Sequence, residues 1–417
     1  MPINWGYALA RGQIIAQRLK RADLNKKGEN LPVLYLPGIL GTKLYDRQQR
    51  VQTWGDYRGV FFNRPEHAGY EYEDSDTHRA RVLANEQLHA FTIVPGLVHT
   101  LVTAELKLVL EAALGYREGR DLFFVGHDWR ADHRHLALRL DEELSRIAAL
   151  FGPEQEVILI GQSASNLAVR YWLATTTEEN RRRIAKWYAF GPPWRGTYHA
   201  LSMMMTGYYP ASRYFHGFTA DDIASYPSAY QLLPSDFSAV DGKGNPLSSF
   251  DIYDPECWKA YRMGPYRETG NGVSPVAARA RAALAGNLQS AREFASWVQG
   301  ADAYKPPVPQ VWFLSDNNLA VKTAVYDDNV WHLEAKSVKR RYPDRASSLL
   351  ESGDDHLPLS RLLDERCGPV VRDAHHQPWG ESFVYVSQAR THRALINHTP
   401  NLQCLAFDLA VERLKRQ

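Results

Sequence analysis

The sequence predicts an α/β protein, a mostly parallel central sheet with helices on both faces, and three observations carry that expectation. Short apolar runs alternate with segments of helical period along most of the chain. One of them, Val157-Ile158-Leu159-Ile160, ends in the turn Gly161-Gln162-Ser163 and passes at once into Asn166 to Ala174, where Leu167, Val169, Trp172 and Leu173 have helical spacing. From about Leu201 to Tyr304 the rhythm is lost, and this stretch reads as an insertion. A chain of 417 residues with 44% hydrophobic composition can fill one large domain with such an insertion, or two domains.

Taken in order, residues 1–30 form a helical extension. Ile14, Ile15 and Leu19 lie beside Arg11, Arg18, Lys20 and Arg21, so this helix either docks on the body of the protein or contacts a membrane surface. The first half of the sheet domain spans 31–200. Its first strand is Val33 to Leu36, followed by the glycine-flanked turn Pro37-Gly38-Ile39-Leu40-Gly41-Thr42. Leu97 to Leu114 is expected as a helix, with Val98, Leu101, Leu108 and Ala112 on one face and Gly115 as its C-cap. Leu122 to Val125 is the next strand, leading into Gly126-His127-Asp128-Trp129-Arg130. A helix bearing Leu136, Leu140, Leu144, Ile147 and Phe151 follows, stopped by Gly152-Pro153, and delivers the chain to the Ser163 strand. Lys186 to Phe190 is a further strand, ending at Gly191-Pro192-Pro193.

Residues 201–305 form the expected cap or lid. Met203, Met204 and Met205 stand beside Tyr208, Tyr209, Tyr214, Phe215 and Phe218, which suits either an adaptable apolar ligand surface or a core helix. Ser274-Pro275 opens a helix that continues to Trp297. The second half of the sheet domain, 306–417, contains strands at Val308 to Leu314 and Phe383 to Val386 and a closing helix from Leu402 to Leu414.

A serine on a sharp strand-to-helix turn has its hydroxyl pushed above the sheet, and the helix behind it offers unpaired N–H groups to a developing oxyanion. Ser163 is therefore the candidate nucleophile, against the plainer reading of a structural turn. A nucleophilic serine needs a base and an acid that orients it, on loops after later strands. His392 follows the strand Phe383 to Val386, whereas His356 and His398 are less well placed. Asp354 and Asp355 in the Gly353 turn are candidate acids, with Asp316 as a rival after the strand Val308 to Leu314.

The balance of 49 lysines and arginines against 47 acidic residues gives no global field to attract nucleic acid. Cys257, Cys367 and Cys404 form no C-x-x-C and read as buried free thiols. No uninterrupted apolar h-region or membrane span is visible, which leads to the expectation of a cytoplasmic protein, with peripheral membrane contact through the basic first helix as an option. No cofactor or metal is called for. A metal-dependent hydrolase built on His127, His133 and His135 lacks a supporting ligand cluster.

Five segments, in order, carry a resemblance to a known family: PVLYLPGILGTKL from Pro32, HDWR from His127, VILIGQSAS from Val157, FGPPWRGT from Phe190 and GDDHLPL from Gly353. THRAL from Thr391 and YPSAYQLLP from Tyr226 add to it. Together they resemble the lecithin:cholesterol acyltransferase and phospholipid:diacylglycerol acyltransferase family, which includes lysosomal phospholipase A2-like enzymes. The resemblance implies an α/β-hydrolase fold with a lipid-binding cap, a Ser163–Asp354–His392 triad, and oxyanion donors at the backbone N–H groups of Ala164 and Ile39, with Leu40 next to it. It implies an acyl lipid substrate, a phospholipid or acylglycerol, and an alcohol or water acceptor. Asp128 and Arg130 match the family's D-W-R and read as a buried ion pair. The chain departs from the pattern at Gln162, where the family has histidine, at Ser165, where it has glycine, and at His356-Leu357, where it has threonine-valine. A noncatalytic binding protein of the same fold and a plain carboxylesterase or phospholipase are the alternatives.

Overall fold

A computed structural model describes residues 5–25, 28–55, 68–94, 98–101, 103–209, 217–268, 270, 272–300, 308–363, 367–372 and 379–416. Its centre is a seven-stranded sheet. We label its strands β1 (Val33–Leu36), β2 (Leu122–Phe124), β3 (Val157–Gln162), β4 (Ile184–Phe190), β5 (Gln310–Ser315), β6 (Val370–Val371) and β7 (Phe383–Ser387). They lie in the order β6-β7-β5-β4-β3-β1-β2, and every neighbouring pair is parallel. Parallel strands need crossovers, and helices supply them on both faces. This is the α/β-hydrolase architecture.

The side-chain alternation of each strand divides the core. Val33 and Tyr35 of β1 face one layer with Ile158, Ile160, Tyr188, Val311 and Phe313, where the helices α1 (Trp5–Arg21), α2 (Ala104–Leu114) and α7 (Thr399–Leu414) pack. Leu34 and Leu36 face the other, with Leu159, Trp187, Trp312 and Val384, covered by α3 (His133–Phe151), α4 (Ser165–Thr175) and α6 (Pro275–Gln299). Strands buried on both sides read as continuous apolar runs, which is why β3, β4 and β7 stand out in the sequence.

Helix α1 docks on the body: Ile15 and Leu19 are buried while Ile14 is exposed. Arg11 pairs with Glu105 of α2 and donates to Asn397 O at 2.8 Å, and Gly12 lets the two helices approach so closely that a Cβ there would stand 2.7 Å from Ala112 Cβ. Helix α2 is shorter than its apolar spacing suggests. It begins at Ala104, and Val98–Leu101 instead pairs antiparallel with Ala90–Val94 as a hairpin. A short apolar run fits either period, and here the cross-strand pairing prevails. Gly115 closes α2 with φ +75°, the left-handed C-cap.

The expected cap region contributes helix α5 (Tyr198–Thr206), short helices at Ala220–Ala224 and Pro227–Gln231, and α6. Its strand Ala239–Asp241 pairs parallel with Ala324–Asp327, which pairs antiparallel with Val330–His332. Residues C-terminal to β5 thus join the same apolar cluster as Leu201, Met204 and Trp258. Tyr214, Phe215 and the boundary at 305 lie outside the described residues. Among the described residues no helix is long and apolar enough to cross a membrane.

One polar cluster sits wholly inside the sheet–helix layer. Lys186 of β4 pairs with Asp408 of α7 at 2.6 Å and with Glu412 at 3.4 Å, while Tyr188 Oη donates to Asp408 at 2.8 Å. Lys186 and Asp408 are fully buried. Breaking such a pair leaves an uncompensated charge in the core. Lys186→Met should lower the unfolding free energy by about 3–5 kcal/mol in urea titrations at neutral pH. A midpoint equal to that of the wild type would show that the pair does not anchor α7.

Candidate active site

Strand β3 ends at Gln162, and the next residue, Ser163, adopts φ +55°, a left-handed conformation that costs a non-glycine residue about 1–3 kcal/mol. The turn is held from all sides. Ser163 N donates to Phe190 O of β4 at 2.7 Å, and the buried Asn166 side chain donates to Ser163 O at 3.0 Å and to Phe190 O at 3.3 Å. Ser165 adds what a glycine there could not. Its hydroxyl accepts from Gln162 N at 2.9 Å and lies 2.8 Å from Leu36 O and 2.9 Å from Gln162 O, either of which its single proton can reach. The residue that departs from the family pattern therefore ties the serine turn to the end of β1.

The end of β1 carries the Pro37-Gly38-Ile39-Leu40 loop. A Cβ on Gly38 would stand 2.8 Å from Gln162 O and 3.0 Å from Ser163 Cβ, so glycine is what lets this loop lie against the serine turn. Leu40 has φ +68°. The N–H groups of Ile39 and Ala164 have no hydrogen-bond acceptor among the described residues; Ala164 follows Ser163 directly, and Ile39 follows Gly38, which lies against it. Gln162 accepts from Tyr35 Oη, which holds its amide at the sheet end.

His392 opens a 3₁₀ turn, His392–Asn397, shortly after β7. Its Nε2 is 2.8 Å from Ser163 Oγ and its Nδ1 is 2.6 Å from Asp354 Oδ2. A carboxylate can only accept, so the proton resides on Nδ1 and the Nε2 lone pair faces the serine hydroxyl. Asp354 is fully buried, and its other oxygen accepts from Leu357 N at 2.9 Å and His356 N at 3.2 Å. Asp355 does not reach the ring. Its Oδ1 accepts from the backbone N of His392 at 3.0 Å, and burial pushes its carboxyl up to about 6. Asp316 bonds Arg372 and takes Gln388 Nε2 at 2.8 Å. Burial disfavours protonation of His392, but the charge and hydrogen bond of Asp354 outweigh it and hold the imidazole above its ordinary 6.5.

Two features of the surroundings of His392 could not be expected from the sequence. Gly191, with φ +56°, passes under the His392 ring, where a Cβ would come within 2.7 Å of Cε1. His356 stacks on the same ring at 5.0 Å between centroids, and His199 stacks on His356 at 3.9 Å. Burial pushes His199 down to about 4 and holds His356 well below its ordinary range, so both pack as neutral rings. The glycine after β4 was the one available signal for the first feature. His199 is too far from His392 in the chain for the stack to be foreseen.

A narrow apolar pocket begins at Ile39 and Leu40 and is walled by Trp129, Met203, Tyr208 and Phe218. It therefore adjoins the loop against Ser163. Trp129 belongs to the HDWR segment, whose Asp128 and Arg130 form a buried pair at 2.7 Å, with His78 Nε2 3.0 Å from the same carboxylate. Arg130 donates onward to Ala68 O at 3.2 Å. His127 and His133 are buried and pushed down to about 4, with burial the leading cause. Among the described residues no group of three or more histidine, cysteine or acidic side chains is arranged to hold a metal.

The family model described as lecithin:cholesterol acyltransferase matches residues 102–253. The motif resemblance and this match name the same family. The matched segment spans α3, the serine turn and the start of the region expected as a cap, and it supports an enzyme acting on acyl-lipid esters. A solved structure described as the Tle4–Tli4 complex is similar in fold, with a TM-score of 0.53 at 14% identity over 93% of this chain and 99% of that one. No curated protein matches the chain.

The geometry has a spectroscopic consequence. His392 should titrate above 6.5 in histidine NMR, and Asp354→Asn should bring it down, because the variant removes the charge that stabilises the imidazolium. A wild-type value below 6.5 would mean that burial, not Asp354, governs the ring.

Proposed function

We propose that the protein is a serine-dependent enzyme of acyl-lipid esters that works through an acyl-enzyme. The observation that carries this reading is the continuous Asp354–His392–Ser163 hydrogen-bond chain, with contacts of 2.6 and 2.8 Å, at a strained strand-to-helix turn. Ser163 Oγ attacks the ester carbonyl while His392 Nε2 takes its proton. The tetrahedral oxyanion is met by the N–H groups of Ile39 and Ala164. On collapse the ester C–O bond breaks, and the leaving alcohol receives the proton from His392. A second alcohol or a water, deprotonated by the same nitrogen, then attacks the acyl-serine carbonyl; the bond from Ser163 Oγ to the acyl carbon breaks, and His392 returns the proton to Oγ. Asp354 keeps Nδ1 protonated and stabilises the imidazolium without itself accepting the proton.

The apolar pocket supports an acyl chain as the group that is held, because its walls offer little for a polar ligand to bond. Residues 201–305 serve in this reading as the cap, together with the strand Ala324–Asp327 that pairs onto Ala239–Asp241 and the strand Val330–His332 beyond it. The acceptor decides between transfer and hydrolysis. We extend the reading to a cytoplasmic enzyme, supported by three buried free thiols.

Ser163→Ala should lower the rate of acyl release from labelled phospholipid by about 10⁴-fold or more, and His392→Ala by a comparable factor, since triad members act as a unit. A Ser163→Ala protein that retains more than about a tenth of the wild-type rate would overturn the proposal. The pH dependence has a defined sign. Protonated His392 cannot act as base, so kcat/KM should rise with pH through a limb above 6.5, reflecting the raised value of the ring. A limb well below 6.5 would contradict that assignment.

A further inference from the structure

The turn that carries Asp354 meets His392 by more than that one carboxylate. Asp355, in a left-handed conformation with φ +80°, turns its carboxylate to the His392 backbone N at 3.0 Å. His356 lays its ring on the imidazole itself, with centroids 5.0 Å apart and planes 29° from parallel. Behind it His199 stacks at 3.9 Å and 14°.

Both of these rings are held from outside the stack. Thr197 Oγ1 donates to His356 O at 2.7 Å, and His356 N donates to Asp354 Oδ1 at 3.2 Å, which fixes the backbone that carries the ring. The same Thr197 oxygen accepts from His199 N at 3.1 Å and caps α5, so His199 stands in the first turn of that helix. Among the described residues the His356 ring makes no hydrogen bond, and Asp355 Oδ1 stands 3.8 Å from its Nε2. What it offers His392 is therefore a face. Burial keeps both rings neutral, so that face brings no charge against an imidazolium formed during the reaction.

Hydrogen bonds at Nδ1 and Nε2 hold the edge of an imidazole but leave its tilt free, because the torsion between Cβ and the ring is broad in histidine. The Nε2 bond is moreover given up whenever Ser163 carries an acyl group. The ring then keeps only its bond to Asp354, and a flat neighbour is what limits its swing. We infer that His356, backed by His199, is a positioning residue that keeps Nε2 of His392 aimed at Ser163 Oγ. This rests on the proposed function and adds to the triad a residue for which the family pattern has threonine.

The test measures the second-order rate at which a fluorophosphonate labels Ser163, in wild type, His356→Thr, His356→Phe and His199→Ala. The probe reports on Ser163 whatever its natural ester. Rates are taken on the alkaline plateau of each pH profile, where His392 is neutral, so that aim is separated from protonation. His356→Thr should label about tenfold or more slowly, since a small misplacement of a reacting group can cost about 10²-fold. His356→Phe presents a flat face without ring nitrogens and should regain most of the rate, with His199→Ala falling between. In proton NMR the Nδ1 proton shared with Asp354 should broaden in His356→Thr through faster exchange with solvent and stay sharp in His356→Phe. Equal labelling of His356→Thr and wild type overturns the inference. So does a His356→Phe as slow as His356→Thr, which would assign the effect to the ring nitrogens. A rate that falls in His392→Ala and ignores His356→Thr removes the inference while the serine-ester reading stands. A wild type unlabelled at Ser163 overturns that reading, and the inference with it. Thermal unfolding of each variant confirms that the comparison is made on folded protein.

Discussion

The left-handed backbone at Ser163 is the constraint on which the rest of the site depends. A turn this tight between a buried strand and a buried helix stores strain, and it persists only because neighbouring elements over-determine it. Strand β4 holds it through Phe190 O, helix α4 through Asn166, and strand β1 through the Ser165 hydroxyl. Each of these contacts also places something else. Phe190 leads to Gly191 against the His392 ring, and Leu36 leads to the Ile39 loop. The bonds that keep the serine in its strained conformation thus also set the loop and the base around it.

His392 is fixed with comparable economy. Its backbone N–H, both ring nitrogens and one ring face are engaged by Asp354, Asp355, Ser163 and His356. Where the sequence departs from the family pattern, the structure supplies a physical occupant. Ser165 bridges two strand ends, Gln162 is held by Tyr35, and His356 packs as a neutral ring between His199 and His392. A stacked imidazole beside His392 gives van der Waals contact without adding a competing charge, because burial keeps it neutral.

Much of the sheet was legible because its strands are buried on both faces and appear as unbroken apolar runs. Val157 to Ile160 and Lys186 to Phe190 are of this kind, the latter despite a lysine whose partners lie on the last helix. The 98–101 segment was not legible, since a few apolar residues fit a helix face and a hairpin strand equally well, and only pairing with 90–94 decides. The same holds for Ala239–Asp241, whose partner lies beyond β5. Among three plausible acids, order along the chain could not single one out. Asp354 is the carboxylate that meets the His392 ring, while Asp355 turns to its backbone and Asp316 to Arg372. Contacts made across the fold, such as the histidine stack, leave no local trace in the chain.

The central claim is that Ser163, deprotonated by His392, is the atom that takes the acyl group. The most direct measurement is to react the protein with a fluorophosphonate, digest it and locate the adduct by peptide mass spectrometry. The account predicts a single stoichiometric modification on Ser163, formed at a rate that falls sharply in His392→Ala. Labelling of another residue, or labelling of Ser163 at the same rate without His392, would contradict it.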